Sequence, residues 1–557
     1  LRVPAILLLP LSWLASGQAA AQTAAGDQVE HIVIRGNTVL PNQTIEGFKK
    51  DFEGRTLDAD GLEDIRRALT LAYVKAKFIA SGAIMKPNAL ENRVLTIDVV
   101  EGYVVGIDVK VIEVDRHGQS QREVQQPWFA RYVCDRLGLL PGGWLSGPKP
   151  DSSVRVISCG EPRSLNERPL NEDDVRHRVA ELLQDPNIAR LNIDILPGSV
   201  PGEARIEAKA VENPSSYSFV IANDQAPDVG TVHGQMGATL RGLLGLGDAL
   251  TLGYGRTAGA NLANARFEIP VTDYDTRIAP YWNYTEAGVV SAAFSGLGIR
   301  NRNQLAGISV IQPLLFTEDQ ALSATLSLDH TISDQWLLGE PFSFEPGYVN
   351  GHAEDSALRL SLDWTYRDRD VQLLSLHGSV SHGLDILGAT STHAAPNAGF
   401  TSVQGQAQYV ARLVEGLQFV GRFAGQVSSQ PLFSFEQIAV GGPATVRGFS
   451  QNALVSDEAL VGSAELRASV GRLTIPDFSE LDSDGEIDVG LFSDVGQGWS
   501  HRGYAPSPGR ISSLGLGVRW EPRSGFAAQV YYGYGFDHPH NVPNLLQPIS
   551  FAVGVQF

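Results

Sequence analysis

The sequence predicts a transmembrane antiparallel β-barrel of about sixteen strands, preceded by two small α+β modules. Three observations predict it. From Ser215 to Phe557 helix periodicity disappears, and segments of about ten residues alternate apolar and polar, as strands between lipid and a wet lumen do. The connections between these segments alternate short and long. The last segment runs to the final residue with its large apolar side chains on one face.

Composition bounds the reading. The chain has 557 residues, too many for one ordinary domain, with 58 glycines, 30 prolines and only 19% charged residues. Hydrophobic residues make up 43% and the mean hydropathy is −0.07, enough to bury a core and unlike a disordered composition. Past residue 20 no apolar run reaches the roughly 20 residues that a membrane-spanning helix needs. The net charge of −19 argues against a nucleic-acid partner, whose phosphates call for clustered Lys and Arg.

Residues 1–21 read as an export signal peptide. Arg2 precedes the apolar stretch Val3–Leu14, and the small-residue run Ala19–Ala21 places cleavage near Ala21–Gln22. A short membrane anchor is the alternative, and the short apolar core disfavours it. In an exported protein the two cysteines, Cys134 and Cys159, are a candidate disulfide. The bridge would close a loop of about 25 residues, worth ~3 kcal/mol in the chain-entropy model. Two unpaired thiols are the other reading, and a zinc site lacks its remaining ligands.

Residues 28–105 carry the order strand, helix, helix, strand. Glu30–Arg35 is the first strand, Gly36 and Asn37 the turn, and Asn42 a candidate helix cap. Leu62, Ile65, Leu69, Ala72, Tyr73 and Ala76 share one face of a second helix after Asp60, with Gly82 placed as its C-cap glycine. Arg93–Val100 alternates into a strand, leaving room for another near Ala83–Lys86. Residues 106–213 repeat the pattern more loosely. Strands are expected at Ile107–Val114, Leu191–Ile195 and Ala204–Val211, and a helix at Asn171–Gln184 with three acids in its first turn. An insert at about 115–169 holds both cysteines.

The barrel segments begin near residues 215, 231, 248, 261, 275, 303, 321, 355, 370, 398, 415, 458, 484, 510, 524 and 546. Leu358, Leu360, Leu362, Trp364 and Tyr366 oppose Arg359, Ser361, Asp363 and Thr365. Leu514, Leu516, Val518 and Trp520 oppose Ser513, Gly515, Gly517 and Arg519. A soluble sandwich has the same period, so the turns decide. Connections after even-numbered segments are mostly short and polar, those after odd-numbered ones often long, as at 331–354, 384–397 and 429–457. That rhythm belongs to a barrel inserted from the periplasm, which puts it in a bacterial outer membrane with the N-terminal modules periplasmic. The turn at 473–484 breaks it. Ile549, Phe551, Val553, Val555 and Phe557 share the outer face of the last strand, so Phe557 stands at a periplasmic rim.

No nucleophile elbow, Walker loop or His-Glu-x-x-His occurs, so no enzyme, nucleotide, metal or other cofactor is implied. Asp537, His538 and His540 read as a polar loop tip rather than a metal site. Two segments stand apart from generic barrel. Val446-Arg447-Gly448-Phe449 lies in the long loop 429–457, and Gly490-Leu-Phe492-Ser-Asp494-Val-Gly496 lies in the thirteenth strand.

With these paired elements the sequence resembles the superfamily of outer-membrane insertases and translocators that includes BamA. With two modules it is similar to the TpsB transporters of two-partner secretion, the haemolysin secretion/activation (ShlB/FhaC/HecB) group. The resemblance implies that the modules are POTRA domains. It implies that the loop carrying Arg447 folds into the lumen, and that Arg447 pairs with Asp494. It also implies a TpsA-type partner, captured unfolded from the periplasm, secreted to the cell surface and, by the group's name, activated. Phe557 would signal to the barrel-assembly machinery that inserts such chains among outer-membrane lipid. The chain departs from the group in two ways: Gln22–Val29 leaves no room for a plug helix, and the 115–169 insert enlarges the second module. A barrel-assembly factor of the same superfamily is the nearest alternative, disfavoured by the count of two modules. A passive porin, which needs no such modules, is the next.

Overall fold

The computed structural model describes residues 27–557 except 115–120, 125, 138–155, 159–168, 184, 214, 273–274, 293, 318, 369–370, 392–395, 477, 480–483, 502–508, 523–524 and 537–544. The signal-peptide residues, Cys159 and the Asp537–His540 tip lie outside the described residues. The chain divides into two compact units, Leu1–Asn213 and Pro214–Phe557.

In the N-terminal unit one topology occurs twice. In the first module the strand His31–Arg35 is followed by helices Asn42–Phe52 and Ala59–Lys75, then by strands Gly82–Ile84 and Val94–Val100. The first strand pairs parallel with the last, and Gly82–Ile84 pairs antiparallel with it. The second helix starts where Asp58 accepts a hydrogen bond from the amide of Gly61 at 2.9 Å. Its Ile65, Leu69 and Tyr73 are buried against Leu95 and Ile97. Two local readings are corrected. The first helix begins after Pro41 with no side-chain cap, although Asn42 is its first residue. The second helix ends at Lys75, with Lys77 at φ 70°, so Gly82 opens a strand instead of capping a helix. The chain leaves the helix without a C-cap glycine, and Gly82 stands opposite Val100 in the ladder.

The second module repeats the order with strand Tyr103–Val114, helices Pro127–Arg136 and Glu172–Leu182, and strands Ile188–Pro197 and Glu203–Glu212. Again the first strand pairs parallel with the last, and the last antiparallel with its predecessor. The segment expected to be an insert therefore contains the module's own first helix. Phe129, Tyr132, Val133 and Leu137 from it are buried in one core with Val104, Ile107, Val175 and Ile206. Cys134, on the same helix, is buried and is not a free thiol.

The C-terminal unit is a closed antiparallel barrel. Its sixteen strands begin at residues 216, 233, 249, 260, 277, 300, 320, 352, 372, 401, 417, 458, 486, 510, 526 and 549, each within three residues of the sequence expectation. The first strand, Ser216–Ala222, closes on the last, Ile549–Gln556. Phe557 adds two main-chain bonds to Tyr217, at 3.1 and 2.9 Å, and its side chain is exposed. The alternation sorts as lipid demands: Leu358, Leu360 and Leu362 are exposed, while Ala353 and Ala357 on the opposite face are buried. Strand seven, Gln320–Leu337, is longer than expected, so residues 331–337 are strand and not loop. The thirteen residues 473–485 between strands twelve and thirteen are the long turn that breaks the rhythm. No described helix is long and apolar enough to cross a membrane.

Candidate functional site

The residues 429–457 connect strand eleven (Leu417–Ser428) to strand twelve (Glu458–Arg472). They turn inward. Ile438–Val440 and Leu454–Ser456 pair as a small antiparallel ribbon, and Gly448–Phe449 pairs with Leu546–Gln547. Val440, Val446, Phe449 and Leu454 form one buried cluster with Val461 and Ile511 of the barrel wall.

The inner wall beneath the loop is set by register. On strand thirteen (Glu486–Trp499), Gly490, Phe492, Asp494 and Gly496 are buried while Leu491 and Val495 are exposed, so the first set faces the lumen. Three cross-strand rows follow. Val461, Gly496 and Ile511 form one, Ser463, Asp494, Ser513 and Gly535 the next, and Glu465, Phe492, Gly515 and Gly533 the third. The four residues Val446–Phe449 lie across these rows. Val446 packs where a side chain at Gly496 would stand, with its Cγ2 only 3.1 Å from that Cβ position. Gly448, at φ 90°, brings its backbone onto Gly533, where a Cβ on either would stand 2.7–2.8 Å from the other's main chain. Glycine at both positions is what lets two backbones approach this closely.

Arg447 is 1% exposed. Its amide donates to Asp494 Oδ2 at 3.0 Å, Nε to the same oxygen at 2.8 Å, and Nη2 to Oδ1 at 2.8 Å. This is the two-pronged guanidinium–carboxylate fork, reinforced by the main chain. Nη1 donates to Glu465 Oε2 at 2.6 Å and Nη2 to Ser463 Oγ at 3.2 Å. The guanidinium carbon lies 3.5 Å from the Phe492 ring centroid and 5.1 Å from that of Tyr531. Glu465 also takes Arg467 at 3.0 Å and Arg422 at 3.5 Å. A buried guanidinium needs this many partners because leaving one charge unpaired costs about 3–5 kcal/mol.

The structure thus brings Arg447, Asp494, Val446, Gly448, Phe449, Phe492 and Gly496 together, and places Gly490 beside Glu465. It leaves Phe557 apart, on the barrel seam. Sequence reasoning missed Glu465, Ser463, Tyr531, Arg422 and Arg467. Their signal was inward parity on neighbouring strands, a signal that needs the register to be known.

The fold and this site define a class: an outer-membrane barrel of the insertase and translocator type, with POTRA domains ahead of it and a motif-bearing loop fixed to its inner wall. The model of the haemolysin secretion/activation protein ShlB/FhaC/HecB family matches residues 202–520, and that of the ShlB-type POTRA domain matches residues 28–102. The chain belongs to the ShlB/FhaC/HecB family. It is 20% identical over 527 residues to the heme/hemopexin transporter protein HuxB of Haemophilus influenzae, covering 92% of this chain and 83% of that one. It is 21% identical over 561 residues to the outer membrane transporter CdiB-2 of Burkholderia pseudomallei, covering 94% and 83%. Its fold is similar to that of CdiB from Escherichia coli, with a TM-score of 0.65 at 18% identity over 98% of this chain and 93% of that one. The protein is an outer-membrane translocator of a partner protein, with its POTRA domains in the periplasm.

Proposed function

We propose that the partner is a TpsA-type protein, captured unfolded in the periplasm by the POTRA domains and threaded through the lumen past loop 429–457. Residues 1–21 serve as the export signal, and Cys134 pairs with Cys159 to tie the second module. Capture proceeds by β-augmentation, in which the chain adds a strand to an exposed sheet edge. Ile188–Pro197 supports this reading, since among the described residues it pairs on one side only and offers ten residues of edge. The observation that carries the lumen role is the Arg447 fork on Asp494 and Glu465, because it holds the loop inside the barrel rather than outside it.

The experiment is a pair of variants. Arg447→Ala leaves Asp494 without its buried cation, so loop anchoring weakens by about 3–5 kcal/mol. Secretion should fall and channel conductance should change; wild-type values of both would sink the lumen role. Deletion of residues 28–213 should abolish export while the barrel still inserts. Normal export by that variant would sink the capture role.

A further inference from the structure

The lumen loop is held at two places, and they are built with opposite charge balance. At Arg447 three guanidinium groups, Arg447, Arg422 and Arg467, share two carboxylates, Asp494 and Glu465. At the loop's other limb the proportion reverses. Arg359, from strand eight (His352–Asp368), donates to Glu436 of the loop at 2.5 and 3.0 Å. The same guanidinium donates to Asp329 of strand seven at 2.7 Å and to Ser381 of strand nine (Gln372–Leu384) at 2.8 Å. Asp355 is 1% exposed, and Glu436, Arg359 and Asp329 all act on it electrostatically. Its carboxyl stands against Thr331, its cross-strand neighbour on strand seven. One guanidinium therefore binds two carboxylates, and Asp355 is a third buried carboxyl within electrostatic reach of the one that must dock.

We propose that Glu436 is the latch of the lumen loop and Arg447 its hinge, with Asp355 keeping the latch releasable. Translocation opens the Glu436 limb while Arg447 stays on Asp494. This rests on the reading that loop 429–457 closes the lumen. The limb carries Leu432 against Ala357 and Phe400, and Phe433 edge-on to Tyr348 with ring centroids 6.4 Å apart. These contacts order the limb without favouring either charge state. The same side of the barrel already holds a cavity of about 290 Å³ between Thr445 and a wall bearing Thr365, Gln406, Phe423 and Val461. Release of Glu436 would extend that space toward the outer rim.

The full-length protein, in planar lipid bilayers, reports the latch through the frequency of open-channel events. Glu436→Gln keeps the shape and removes the charge that Arg359 grips. Open events should rise about tenfold, the factor that a lost charge-assisted hydrogen bond gives. Glu436→Asp keeps the charge and should stay nearer to wild type than to Glu436→Gln. Asp355→Asn leaves Arg359 to Asp329 and Glu436 without a third carboxyl nearby and should make the channel quieter than wild type. An unchanged event frequency in Glu436→Gln overturns the latch, and so does an Asp355→Asn channel that opens more often. Should Glu436→Gln fail to fold, Asp355→Asn decides alone, since a damaged barrel leaks and does not become quieter. Wild-type behaviour of Arg447→Ala in the same assay counts against the lumen-closing reading itself; wild-type behaviour of the Glu436 and Asp355 variants alone counts against the latch.

Discussion

The two units of this chain bury opposite things. The POTRA domains hide Ile65, Leu69, Leu95, Ile107, Phe129 and Val133. The barrel exposes Leu360, Leu516 and Val530 at about half their surface and hides Asp329, Asp355, Glu465 and Asp494. The bulkiest of the most deeply buried side chains is an arginine, Arg447. One rule explains both, since apolar surface leaves water wherever it can. In the periplasm water lies outside the domain and the centre is dry. In the membrane the outside is hydrocarbon, and charged groups are pushed to the lumen, where each must find partners. Strength therefore comes from packing in one unit and from hydrogen-bonded closure and ion pairs in the other.

The largest effect expected from this contrast comes from the same truncation made in both units. Leu95→Ala opens a cavity in the first POTRA core and should cost about 2–5 kcal/mol. Leu360→Ala faces acyl chains, which fill the space and are as apolar as leucine, so it should cost a small fraction of that. Hydrogen exchange of the intact protein in detergent or lipid reads both regions at once. Equal losses at the two sites would break the comparison.

A smaller effect sharpens it. One helix of the first POTRA domain carries a local start signal. Asp58 caps the helix Ala59–Lys75 through the amide of Gly61. Asp58→Ala should cost about 1 kcal/mol and Asp58→Ser much less. Faster amide exchange in the first turn only, with strand protection intact, is the expected pattern. Loss of protection across the whole barrel in this variant would contradict the independence of the two kinds of stability.

What the sequence made legible follows the same division. Barrel strands were readable because lipid enforces a period of two over each crossing, and strand seven was underestimated because residues 331–337 extend beyond the length that a membrane crossing needs. Arg447 and Asp494 were readable from their flanking motifs and from the parity of Asp494. Glu465 and Tyr531 were not, because they reach Arg447 only through the register of strands twelve to fifteen. Arg359 was placed on the polar face of its strand, but nothing nearby in sequence points it at Glu436, 77 residues away. In the second POTRA domain the helix Pro127–Arg136 was absorbed into an expected insert. Trp128, Phe129, Tyr132 and Val133 carried a one-face helical spacing, but the cysteines and basic residues around them drew the reading toward a tied loop. Gly82 misled because a glycine after a helix serves a C-cap and a strand entry equally well.

The smallest effect tests whether ion pairs on a water-facing sheet matter as little as the contrast requires. Glu207, on the last strand of the second POTRA domain, receives Lys110 at 2.5 Å and Lys209 at 3.3 Å. The Lys110 ammonium, opposed by partial burial and aided by Lys209, holds its carboxyl below the ordinary value of 4.5. A carboxyl whose folded value is lowered binds fewer protons in the native state than when unfolded. Its contribution is therefore complete above 4.5 and disappears as the pH falls below it. Because the pair meets solvent, the contribution should be at most about 1 kcal/mol. Thermal unfolding of the POTRA unit should show Glu207→Gln slightly less stable than wild type at neutral pH and equal to it in acid, with the gap narrowing as salt is added. A gap that persists in acid, or one insensitive to salt, would mean that Glu207 acts by packing. The surface of the POTRA sheet would then resemble the barrel interior more than the division between the two units allows.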